Sequence, residues 1–228
     1  MATLFKGHWQ LLAITALVFA LWQTPIVLPL KILVVYLHEL SHGIAAVLTG
    51  GEIVSISVSA EQGGVAWTRG GSRFVTLSAG YLGSLLIGLA ILVIALRTAL
   101  DRLVLGAFGL ATLLVTALYI REGFAILFCG AVGLGMLAAE WFLPRIAADL
   151  ILRVIGLASL NYVPYDIFDD TISRAELRSD ARMLAEEFGG TTMIWGGLWL
   201  ILSLAAIGIA LRWGLGRTSN LTGDALRR

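Results

Sequence analysis

Residues 31–48 form an apolar run long enough to lie across a bilayer, yet they hold His38, Glu39 and His42 within five positions. Lipid offers no partners to peptide groups, so such a run must be helical. On a helix His38 and His42 stand one turn apart on one face, and both imidazoles can reach a single metal ion. Glu39 lies beside them, placed to accept a proton from an attacking water rather than to bind the metal. Ionisable side chains inside a span are costly and mark function by default. The chain therefore has to fold around a polar centre inside an apolar shell. The plainer alternative is a helix whose polar groups are merely satisfied by its neighbours. The chain has three histidines, which makes chance placement of two of them around a glutamate at this spacing rare.

Charged residues are 14% of the 228-residue chain and hydrophobic ones 58%. Soluble domains carry about 25% charged residues, so this is an integral membrane protein of the all-α polytopic class. The successive apolar segments predict six or seven transmembrane helices. The whole of 1–228 reads as a single integral membrane domain, with a catalytic core over about residues 30–170 and a polar segment at 164–192. A final span at 193–213 and a mobile tail at 214–228 complete it. The run over 8–30 reads as a retained first span rather than a signal peptide, ending where Pro25 and Pro29 interrupt it. A net charge of +1 without a basic cluster gives no sign of nucleic-acid binding. Cys129, the one cysteine, excludes an internal disulfide and reads as a packing residue. Arg217, Arg227 and Arg228 favour a cytoplasmic tail, but the loop charges do not alternate cleanly and the orientation stays open.

Between the spans, residues 53–67 alternate apolar and polar on both sides of a Gly63-Gly64 turn, the pattern of a short β-hairpin. It is too short to cross the bilayer, so it belongs at the interface or in a cavity lined by protein. The small residues of Ser78-Ala79-Gly80-Tyr81-Leu82-Gly83-Ser84 predict close packing of the next span on the metal-motif helix. Residues 173–188 read as a short amphipathic helix.

A catalytic zinc needs a third protein ligand. His8 lies near the edge of the first span, whereas His38 is roughly 18 Å into its helix at about 1.5 Å per residue. The third ligand should therefore be a carboxylate. The candidates are Asp166, Asp169 and Asp170, where Pro164 is expected to end an apolar helix and open a polar cavity.

The His38-Glu39-Leu-Ser-His42 motif, Ala79-Gly80 and Asn161-x-x-Pro164 followed by an aspartate resemble the site-2 protease family of intramembrane zinc metalloproteases, in particular its small bacterial relatives. The resemblance covers about residues 30–170. It implies zinc as cofactor, Glu39 as catalytic base, and His38, His42 and Asp169 as ligands, with Asp166 and Asp170 as alternative ligands or supporting groups. Two positions depart from the family pattern: Tyr81 stands where proline is usual, and Asp170 where glycine is usual. The implied function is zinc-dependent hydrolysis of peptide bonds in or near the bilayer of a bacterial cytoplasmic membrane. Its partners are the lipid bilayer and a membrane-protein or peptide substrate, held extended by the hairpin. The substrate-binding residues and the oligomeric state are not specified. A catalytically inactive membrane metalloprotein that binds a partner, or a small metal or proton transporter, remains as an alternative.

Overall fold

The computed structural model describes residues 2–173, 178–214 and 218–220. Among these, α1 (Ala2–Ala20) is broken at His8, where φ is −137° and ψ is 16°. A 3-10 turn at Pro25–Val27 leads into α2 (Leu28–Leu48), which carries the metal motif. Pro29 falls in the first turn of α2, where a missing N–H breaks no helical bond. The prolines thus separate the first two helices as expected.

Past α2 the chain turns through Gly50, at φ +89°, into β1 (Glu52–Val58) and β2 (Gly64–Arg69). The two strands pair antiparallel, Ile56 opposite Ala66 and Val58 opposite Gly64. Helices α3 (Arg73–Arg97), α4 (Asp101–Tyr119), α5 (Gly123–Phe142) and α6 (Arg145–Phe168) follow. A short α7 (Asp180–Phe188) and a long α8 (Thr192–Gly214) complete the described order.

Among the described residues, six helical segments are long and apolar enough to cross a membrane: α2 with its preceding turn, α3, α4, α5, α6 with its following turn, and α8; the run over 8–30, expected as a first span, is not one of them. The apolar windows of α2 and α6 are each 67% buried and that of α8 only 17%, so α2 and α6 are central while α8 faces outward. Between them lies α3, half buried. Small residues set the spacing of these three. A Cβ on Gly83 would come within 2.6 Å of Ser41 on α2, and one on Gly156 of α6 within 2.7 Å of Leu92 on α3. The hairpin packs on α2 through Ile53 and Ile56, whose side chains fill the space a Cβ on Gly43 would need.

Two expectations are corrected. Pro164 does not end its helix: α6 runs through it to Phe168 and continues as a π-helical turn, Asp169–Ser173. Proline removes one donor and crowds the preceding turn, and a widened turn just beyond absorbs the misfit while Thr171 Oγ1 donates to the Ile167 carbonyl at 2.6 Å. The amphipathic helix expected at 173–188 starts at Asp180, and residues 174–177 lie outside the described residues. Of the tail expected at 214–228, residues 218–220 make hydrogen bonds to the body of the protein, while 215–217 and 221–228 lie outside the described residues. Residues 218–220 meet a buried ion pair on α6, Arg153 with Asp149. A buried guanidinium needs acceptors, and Arg153 donates to the Ser219 carbonyl at 2.5 Å. Ser219 and Asn220 in turn bond to Gly7 and Lys6 at the start of α1.

Candidate metal centre

The i, i+4 spacing of His38 and His42 turns both rings to the face of α2 that meets α3 and α7. The His42 Nδ1–H donates to the Thr76 carbonyl at 2.7 Å, which leaves Nε2 as the ring's free lone pair. His38 and His42 each point Nε2 at one oxygen, Asp180 Oδ2, at 3.0 and 3.1 Å. Among the described residues, this is the one cluster of three or more His, Cys, Asp or Glu side chains whose donor atoms converge closely enough for a metal ion.

The donor set fits a zinc-type ion. Two ligands about 2.0–2.1 Å from a tetrahedral centre lie about 3.3 Å from each other, close to the separations here. Two imidazole nitrogens and a carboxylate also leave one position open, the arrangement of a catalytic rather than a structural site.

Asp180 reaches the site because α7 folds back over α3. Ser179 caps that helix, its hydroxyl accepting from the Arg182 N–H, and Asp180 occupies the first helical position, where the helix dipole favours a carboxylate. Burial alone would raise the Asp180 carboxyl, but His42 and His38, by charge and by hydrogen bonding, hold it well below the usual carboxylate range. Ala181 and Leu184 are fully buried and anchor the helix.

Two glycines bring backbone against these side chains. A Cβ on Gly80 of α3 would collide with His38 Nε2 and come within 2.6 Å of His42 Cε1. The glycine of the Ala79-Gly80 pair is therefore what allows α3 to lie against both imidazoles. On the other side, a Cβ on Gly64 of β2 would collide with Glu39 and come within 2.8 Å of Val35. Glu39 is thus buried between the histidines and β2, with the Ala66 backbone N–H turned toward its carboxylate.

A cavity of about 580 Å³ opens here, bounded by α2, the residues of β2, the start of α3, the end of α6 and α7. The sequence candidates divide on it. His38, Glu39, His42, Asp166 and Asp170 line it, and Asp169 is not among the lining residues. The third carboxylate beside the histidines is accordingly Asp180, where the sequence led to Asp169. Asp166 and Asp170, four residues apart, share the cavity side, and Asp169 between them does not line it. Asp170 accepts from the Tyr81 hydroxyl at 2.5 Å. His8 stands apart from this site, with its Nδ1 accepting from the Ser219 backbone N–H at 3.2 Å.

One signal for Asp180 was present in the sequence. It shares a helix face with Leu184, one turn on, so burying the apolar face of that helix buries the acid too.

A family model described as Peptidase M50B-like matches residues 11–210. No curated protein and no solved structure matches the chain. The chain belongs to the Peptidase M50B-like family, and through it to the site-2 protease family of membrane metallopeptidases.

Proposed function

We propose that this membrane metallopeptidase is a zinc enzyme of a bacterial cytoplasmic membrane that cleaves membrane-protein or peptide substrates at the bilayer. The observation that carries the reading is the convergence of His38 Nε2 and His42 Nε2 on Asp180 Oδ2, with Glu39 buried alongside. His38, His42 and Asp180 would hold the ion. Zinc at such a site supplies a Lewis acid for the scissile carbonyl and brings the pKa of water down to about 7.

The chain's own groups do the rest. Glu39 accepts a proton from the attacking water and delivers it to the leaving amine nitrogen as the C–N bond breaks. Gly64 and Ala66 lie at the cavity, and a substrate segment laid along β2 would be held extended by main-chain bonds. That arrangement suits a peptide bond in a membrane segment, which must leave its helix before it can be attacked.

The test is Glu39→Gln in purified protein with a transmembrane reporter substrate. It should keep zinc at the wild-type level, because Glu39 is not a ligand, while turnover falls by at least about 10³-fold, since general base and acid functions are lost together. Wild-type turnover in this variant, or a protein that cleaves after complete zinc removal, would overturn the reading. Zinc movement across proteoliposomes without cleavage would assign the site to transport instead.

A further inference from the structure

The two imidazoles are held differently. His42 has a hydrogen bond behind it, from Nδ1 to the Thr76 carbonyl at 2.7 Å. On His38 the hydrogen bond the structure gives lies on Nε2, the same atom that faces Asp180. The orientation of that ring is set by packing instead. Its neighbours are the His42 ring, at 4.7 Å between centroids and 74°, and the Tyr81 ring, at 4.6 Å and 85°.

Tyr81 is itself fixed at both ends. Its ring packs on Trp199 of α8 at 5.2 Å, and its hydroxyl donates to Asp170 Oδ2 at 2.5 Å. Only 2% of its surface is exposed. Asp170 belongs to the π-turn after α6, so one hydrogen bond ties that turn to the wall beside His38.

We propose that Tyr81, locked by Asp170, is the positioning residue for His38: it holds the imidazole edge-on so that Nε2 stays aimed at the ion's place beside Asp180. The proposal rests on the metal-centre reading above. Tyr81 acts through His38, and Asp170 acts through Tyr81, so the pair should behave as one unit.

The experiment measures zinc affinity by competition with a chromophoric chelator, together with the visible absorption of the cobalt-loaded protein. It compares wild type with Tyr81→Phe, Asp170→Ala, Asp170→Asn and the double variant Tyr81→Phe/Asp170→Ala. Tyr81→Phe and Asp170→Ala should each weaken zinc binding by about 10-fold, the lower end of losses seen when a ligand's support is removed. The double variant should lose no more than either single one. Asp170→Asn should stay near wild type, because its amide oxygen still accepts the phenol. The cobalt bands should change in the two disruptive variants and not in Asp170→Asn, and kcat should fall with KM unchanged. A merely structural pair would lower the melting temperature and leave affinity and cobalt spectrum alone, which overturns the proposal. Multiplying losses in the double variant overturn it as well. A wild-type protein that binds no zinc overturns both this inference and the reading beneath it, while zinc binding with inert Tyr81 and Asp170 overturns this inference alone.

Discussion

Asp180 and Asp169 are eleven positions apart in sequence, and the structure gives them opposite surroundings. Asp180 is buried against two imidazoles, while Asp169 opens the π-turn and does not line the cavity. Elemental analysis of purified variants should therefore find zinc largely lost in His38→Ala, His42→Ala and Asp180→Ala, by at least about 10-fold in affinity, because each removes one of three ligands. Asp169→Ala should keep wild-type zinc, and loss there with retention in Asp180→Ala would mean that the geometry is misassigned. The histidines were legible because their relation is local: four residues on a helix fix a shared face whatever the tertiary fold. Asp180 was not, because its role depends on α7 folding back over α3. Tyr81 and Asp170 were visible as two separate departures from the family pattern. Their hydrogen bond shows that they are one feature, a tertiary pairing across 89 positions that no local pattern encodes.

The hairpin was readable from its alternating residues, and its paired strands follow from them directly. Its working edge follows from the ladder. Ser59 N–H donates to the Gly63 carbonyl, so hydrogen-bonded pairs alternate from there, and Gly64 and Ala66 turn their N–H and C=O groups to the open edge. Ala66→Pro breaks no ladder bond but removes the N–H that faces Glu39, so it probes the strand edge and the buried acid together. It should cut turnover of a transmembrane substrate several-fold and leave zinc content unchanged; unaltered turnover would remove the strand from substrate binding. Contact between α3 and α2 depends on Gly80 in the same direct way. Gly80→Ala should cost about 1–3 kcal/mol of stability by overpacking and should weaken zinc binding as well, since the new methyl meets both imidazoles. Wild-type melting temperature and zinc affinity together would show that the helices can part without cost. The helix through Pro164 was misread because proline speaks to one hydrogen bond, whereas continuity across it depends on the packing of a helix that is largely buried.

Six crossings return α8 to the end of the molecule where α2 begins, and the bond between Lys6 and Asn220 places the described ends of the chain together there. The metal centre, the hairpin and α7 lie toward the other end. With Cys129→Ser as background, single cysteines at Glu52 and Gly190 should react with a membrane-impermeant reagent from one face, and cysteines at Leu100 and Leu143 from the opposite face. Any other grouping would break this topology. At the shared terminal end, Arg153→Met should lower stability by about 3–5 kcal/mol because Asp149 is left buried and unpaired, and adding Asp149→Leu should recover much of it. A single variant as stable as wild type would show that the pair holds nothing together. The apolar segments predict six or seven spans and six helices qualify among the described residues, the run over 8–30 not being among them; the docking of residues 218–220 was not legible, since the tail reads as polar until a buried guanidinium is seen to need its carbonyl. His38 and Asp180 are separated by 142 positions. On the proposed reading, synthesis itself then imposes an order on the chemistry: a growing chain has the base and two imidazoles early, but gains the third ligand only after five of its six crossing helices have been made. On that reading peptide hydrolysis waits until the membrane domain is nearly whole, because two imidazoles without the carboxylate leave the site one ligand short.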